Sequence, residues 1–351
     1  MSRPSDVPPA PPAGERPAPD APHRIVPINE RAAGRRADVF LSLRFNDWSR
    51  TALAGFIRSG HVASDTRTLK PSSTLKQGEV LRIYIPGIAP HDEPPPMPPV
   101  LYEDEWLLAV DKPSGLLMHP VGQKWSWGLV GVVRRARPDA DIDLAHRLDR
   151  ETSGVVIVTK HPDANRYLKK MFADRKVGKV YWAVVRGAPT WDEITCDAPL
   201  GHREGSEVIL RQGDNPLGAQ AKTRFKVVHR IDAGSVASHA LVACKPLTGR
   251  THQIRAHLEH VGFPILGDKL YGQPDDVFLE LLEKGITPRV RGLIGFPRHA
   301  LHARSIAFPH PKTGQIVRIR APLPPDLRAI VHGNVPTWPE ALAAVEAEAG
   351  E

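Results

Sequence analysis

The stretch DLAHRLDRETSGVVIVTK, residues 143–160, sets a dense run of charged and imidazole side chains directly before an apolar, β-branched segment. The apolar half reads as a buried strand. Strands are ordinarily entered through turn residues, so a polar cluster at the mouth of one is the arrangement of a site carried on a loop and held by a rigid sheet. A solvated turn is the plainer reading of the same charges, and the segment alone does not decide between them.

Outward from this strand, the apolar patterning continues in EWLLAVDKPSG (105–115), KVYWAVVRG (179–187), TRFKVVHRI (223–231), SHALVACKP (238–246) and QIVRIRAP (315–322), all of which predict strands. Helices are predicted at PDANRYLKKMFADRKV (162–177) and RTHQIRAHLEHVG (250–262). Successive strands without helices between them argue for an α+β domain with a mixed, largely antiparallel sheet, and against a doubly wound fold. We place this domain at 100–330 and read 331–351, which ends WPEALAAVEAEAGE, as an acidic tail or short helix.

The N-terminal third differs. Residues 1–22 contain eight prolines among small and charged residues, a composition that cannot offset the entropy of ordering, and predict a disordered tail. A second Pro-rich stretch, PGIAPHDEPPPMPP (86–99), predicts a stiff linker over 87–99. Between them, residues 23–86 form a small α/β module. Leu53, Phe56 and Ile57 share a helical face that Gly60 terminates, and short strands follow around HVAS and EVLRIYIP. Residues 23–85 hold 11 Lys/Arg against 5 Asp/Glu, so +6 of the chain's net +8 is concentrated there. A polyanion is the partner this charge suits.

Cys196 and Cys244 are the only cysteines and lack CxxC spacing, which argues against a disulfide framework or a cysteine zinc site. No apolar run approaches the ~20 residues of a membrane span, and the Pro-rich start lacks the apolar core of a signal peptide. A soluble, cytoplasmic protein without membrane contact, expected to be a monomer, is the consequence.

HRLDRETSG (146–154) resembles the defining motif of the ribosomal large-subunit class of pseudouridine synthases. KVYWAVVRG is similar to that family's second motif, centred on a tyrosine, and PLTGRTHQIRAHLEHVGFPILGDKLYG (246–272) to its third. DKPSGLLMHP (111–120) and LHARSIAFPHP (301–311) are also typical of it, so the resemblance spans about 100–330 in the family's order. The module before the linker resembles, more weakly, the small RNA-binding domain named after a small-subunit ribosomal protein. RADVFLSLRF and the SGHV turn carry that likeness, and VASDTRTLKPSSTLKQGEVLRIYIP departs from the usual Asn/Lys-rich centre.

The resemblance implies a pseudouridine synthase fold and isomerisation of uridine to pseudouridine in RNA, ribosomal RNA of the large subunit first and transfer RNA as the alternative. It implies Asp149 as nucleophile, Tyr181 as the active-site tyrosine and Arg255 as the partner of the aspartate. Arg147 would contact the space left by a flipped base, and Arg250 and His252 would make phosphate or structural contacts. The residue types suit the chemistry. Moving uracil from a C–N to a C–C glycosidic bond changes no oxidation state, so neither a redox cofactor nor a metal is expected. A guanidinium beside a carboxylate keeps it ionised, and its planar fork can hold both oxygens. A tyrosine offers a face for stacking and a hydroxyl for proton relay.

Other readings compete. Arg255 could pair with Glu259 across one helical turn. His252, His257 and His260 invite a zinc site, although the HExxH pattern is absent. A carboxylate glycosidase would need a second acid near Asp149, for which Asp143 and Glu151 are the sequence neighbours. A non-catalytic RNA-binding assembly factor would be marked by loss of Asp149 or Tyr181, and both are present.

Overall fold

Every residue from Ser153 to Thr159 is buried, so this strand needs cover on both faces. A computed structural model describes residues 24–30, 32–44, 50–84, 95–119, 128–231, 238–334 and 336–350. The proposed tail at 1–22 and the linker up to residue 94 lie outside the described residues. The chain divides into two compact units, the second beginning at Pro95.

In the first unit, strand β1 (Arg24–Pro27), helices α1 (Ala37–Arg44) and α2 (Arg50–Arg58), and strands β2 (Val62–Ser64) and β3 (Val80–Ile83) form an antiparallel sheet of order β1-β3-β2 packed on two helices. The core gathers Phe40, Leu41, Leu53, Phe56, Ile57, Leu81 and Ile83. Gly60, at φ +82°, ends the turn after α2 as expected. Strand β1 was not expected, because RIVP is too short to show alternation.

The unit's charge is partly compensated internally. Asp38 accepts from both Arg36 and Arg50, each 2.9 Å away, and the hydrogen-bonded Arg36 guanidinium holds its carboxyl down at about 2. Arg67 pairs with Glu79 and Arg82 with Asp65. Arg35, Arg58, Lys70 and Lys76 remain exposed and without an ion pair among the described residues.

The second unit opens with β4 (Val100–Glu103), β5 (Leu107–Lys112), α3 (Leu129–Ala136), β6 (Asp143–Leu144), β7 (Ser153–Thr159) and α4 (Pro162–Ala173). It continues with β8 (Gly178–Arg186), β9 (Glu193–Cys196), β10 (Leu200–His202), β11 (Gln212–Asp214), β12 (Thr223–Ile231) and β13 (His239–Pro246). Helices α5 (Gln253–His260), α6 (Asp275–Lys284) and α7 (Pro288–Ile294) precede β14 (Leu301–Pro309), β15 (Ile316–Arg320), α8 (Pro325–Val331) and α9 (Trp338–Gly350).

The large sheet runs β4-β5-β7-β14-β8-β13-β12-β9, with β15 on β14 and β6 on β7. All its pairings are antiparallel except β7 with β14, so it is mixed and largely antiparallel. Among the described residues, no helix is long and apolar enough to cross a membrane.

The strand β14 lies within LHARSIAFPHP, which alternation alone does not mark, because Arg304 and Ser305 interrupt it where the register slips against β8. The predicted helix over 162–177 stops at Ala173, since Arg175 takes a left-handed φ of +58° and turns the chain into β8. Helix α9, at the expected acidic end, buries Ala341 against the main core.

Glycine is required where β7 meets β14. At Gly154 φ is +107°, and a Cβ there would overlap the backbone of Ala303, its register partner. Gly154→Ala is expected to destabilise the protein by about 3 kcal/mol or more, seen as a lower midpoint in denaturant unfolding.

Candidate active site

The loop between β6 and β7 carries the polar cluster, and several devices hold it. Beyond β6, His146 extends the ladder by accepting at Nε2 from the Ile157 N–H (2.9 Å), and its ring stacks on Phe172 at 5.0 Å. Burial pushes the imidazole down to about 3, so it is neutral and able to accept. Leu148 then anchors in the core, and the Thr152 N–H closes a turn on the Asp149 carbonyl at 3.1 Å.

From the DKPSGLL segment, the fully buried Lys112 ammonium donates to the carbonyls of Pro113, Leu116 and Arg150 at 2.9–3.0 Å. Ser114 Oγ donates to the Glu151 carbonyl at 3.0 Å. A loop tied at this many backbone atoms can hold a side chain in one orientation.

Asp149 projects from that loop with about a third of its side chain exposed, and its Oδ2 accepts from Arg255 Nη1 on α5 at 3.1 Å. Arg255 is itself fixed on its other edge. Its Nε and Nη2 donate to the two oxygens of Asp268 at 2.7 and 2.9 Å, and its guanidinium lies 5.0 Å from the centre of the Tyr271 ring. Asp268 is fully buried and also accepts from the N–H groups of Leu270 and Tyr271.

Burial pushes the Asp149 carboxyl up, but the Arg255 guanidinium, together with His299 and His252, outweighs it, and the group ends below its ordinary value. Asp268 is lowered too: complete burial raises it, and Arg255, with His299 and the Tyr271 N–H, more than offsets that. One ionised carboxylate is thus partly exposed while a second, fully buried, aims its cation.

Tyr181 on β8 packs between two apolar clusters, and burial, reinforced by the Asp149 charge, raises its hydroxyl well above the usual range, so it stays protonated. Around the loop, Glu151 pairs with Lys269 and accepts from the His299 N–H (3.0 Å), while the His299 ring shares a hydrogen bond of 2.8 Å with Thr152 Oγ1. Burial brings His299 down to about 4.

The structure therefore brings Asp149, Tyr181 and Arg255 together. Arg147 is exposed and makes no ion pair or hydrogen bond among the described residues. The exposed Arg250 has its Nε held by the Gln220 carbonyl at 3.0 Å. His252, in a left-handed turn at φ +53°, shares a 3.1 Å hydrogen bond with the Tyr271 hydroxyl, and burial together with Arg255 lowers it to about 4.

The rival readings find no such geometry. Glu259 turns away from Arg255 to Arg203 and Arg211. His257 is taken up by Thr223 Oγ1 and the Ala198 carbonyl, so the three histidines do not converge. Asp143 pairs with Lys169 and Glu151 with Lys269, so neither of these two acids stands free beside Asp149 among the described residues. Asp268, His299 and Lys112 escaped the sequence reading; Asp268 was within reach, standing in the GDKLYG end of the third motif.

An RNA pseudouridylate synthase family model matches residues 106–260. The chain is 35% identical over 318 residues to ribosomal large subunit pseudouridine synthase D of Xanthomonas campestris, covering 89% of this chain and 92% of that protein. It is also 35% identical to ribosomal large subunit pseudouridine synthase C of Escherichia coli K12, covering 87% and 94%. Among solved structures, human RNA pseudouridylate synthase domain containing 4 superposes with a TM-score of 0.52 at 26% identity, over 67% of this chain and 92% of that one.

Proposed function

The chain belongs to the RNA pseudouridylate synthase family, and we propose that it isomerises uridines of ribosomal RNA, of the large subunit in particular, with Asp149 as the nucleophile. The observation that carries this reading is the ion-pair chain from Asp149 through Arg255 to the buried Asp268, which keeps one partly exposed carboxylate charged and aimed.

Asp149 forms a transient covalent bond to the target nucleotide and splits a difficult step into easier ones. The C1′–N1 bond breaks, the base turns, a C1′–C5 bond forms, and the proton lost from C5 is balanced by one gained at N1. Tyr181 stacks on the uracil and offers its protonated hydroxyl as a relay. The uridine must leave its stack to reach Asp149, at a cost of a few kcal/mol, and the unpaired Arg147 is the side chain we assign to the gap it leaves. Arg250 contacts phosphate, and His252 serves through Tyr271.

Large-subunit ribosomal RNA carrying tritium at uridine C5 tests the reading. The protein should release tritium and leave pseudouridine; release from transfer RNA alone would redirect the assignment to that substrate.

The relatives named for ribosomal RNA and the exposed cations of the first unit support a division of labour, in which that unit adds RNA affinity. Replacing Arg35, Arg58, Lys70 and Lys76 together with Gln should weaken binding to the same RNA and flatten its salt dependence by about 1–3 in log–log slope, since fewer counterions are released. An unchanged slope in filter binding across a salt series would remove the unit from the RNA interface.

A further inference from the structure

Lys179 stands two residues before Tyr181 on β8, so the two side chains leave the same face of the strand. It is half-buried, yet forms no ion pair and no hydrogen bond among the described residues. Other partly buried lysines of this unit, Lys160 and Lys269, reach carboxylates.

The Lys179 ammonium lies 5.8 Å from the centre of the Phe172 ring, and a Cβ on Gly249 would sit 3.8 Å from it. It therefore lies under the turn that carries Arg250 into α5. On the other side, Phe172 stacks on His146, and the exposed Arg147 follows next in the chain. Burial lowers the Lys179 pKa, as it must for a cation that has lost water and gained no counterion. Holding a desolvated ammonium with only an aromatic face beside it is costly unless a bound anion completes the site.

We infer that Lys179 takes a backbone phosphate of the bound RNA, next to the nucleotide presented to Asp149 and Tyr181. Arg250 and Arg147 mark the path of the strand on either side. A lysine suits this task because a phosphate needs a point charge and no fork geometry. The Phe172 ring lies beside the ammonium, which is therefore placed before RNA arrives.

The inference rests on the reading of the Asp149 site as an RNA-modifying one, and the test separates the two. Wild-type protein, Lys179→Met and Lys179→Arg are compared on large-subunit ribosomal RNA transcribed in vitro, by binding across a salt series and by single-turnover tritium release. Methionine keeps an unbranched apolar stem one atom shorter than lysine and carries no charge, so thermal unfolding near wild type certifies the fold.

Lys179→Met should bind about fivefold more weakly at moderate salt, with the log–log salt slope reduced by about one. Lys179→Arg should restore the slope. A folded Lys179→Met protein with the wild-type slope overturns the inference, whatever its turnover. Failure of the wild-type protein to form pseudouridine in any RNA would instead sink the reading beneath it.

Discussion

Asp149→Asn is expected to abolish pseudouridine formation, by on the order of 10⁴-fold or more in single turnover, while RNA affinity changes by no more than about threefold. The amide keeps the size of the carboxylate and can still accept from Arg255 Nη1, so the loop tied down by Lys112 and Ser114 has no reason to move. What it loses is the nucleophilic oxygen. Binding depends on phosphates and on cations elsewhere, which the change leaves in place. Tritium release and RNA binding should therefore separate in one mutant. Turnover above a trace, in protein free of wild-type contamination and deamidated product, would show that Asp149 is not the nucleophile.

How much of this was legible in the sequence follows from how far each partner lies along the chain. The loop and β7 are contiguous, so HRLDRETSGVVIVT shows the strand directly, whereas its charges alone read equally as a solvated turn and only the family resemblance marks them as a site. Strand β12, which alternates buried and exposed over Thr223–Lys226, shows itself for the same local reason. Lys112 grips Arg150 from 38 residues away, and His299 meets Thr152 from 147 away; nothing local distinguishes either from an ordinary buried or surface residue. Helices α6 and α7 are short, and Leu279, Leu282 and Leu293 on them are exposed, so no clean apolar face marks them. The positive charge of the first unit was countable, but its pairing was not. Asp38 meets Arg50 across 12 residues and Asp65 meets Arg82 across 17, and only the fold shows which cations remain for a partner.

Arg255→Met should combine a loss of turnover with a loss of stability and a displaced pH profile, because one guanidinium serves two carboxylates. Removing it leaves Asp268, without exposed surface, holding only the N–H groups of Leu270 and Tyr271. Breaking one side of a buried pair costs about 3–5 kcal/mol, which should appear as a lower denaturation midpoint. For Asp149, burial is the largest single influence and raises its pKa, and Arg255, together with His299 and His252, more than offsets that. Wild-type activity, which needs the carboxylate ionised, is present above the lowered pKa and fades only as pH falls below the ordinary carboxylate range. Without Arg255, burial faces only the weaker pull of His299 and His252, so the acid limb should move up and residual turnover should recover as pH rises. Arg255→Lys should restore part of the activity, since one ammonium cannot donate to both oxygens of Asp268 and also reach Asp149. The double change Arg255→Met with Asp268→Asn separates the roles: it removes the stranded buried charge and should regain much of the stability, yet stay inactive. If the double variant turns over RNA like the wild type, Arg255 matters for folding alone, and the ion-pair chain has no part in the chemistry.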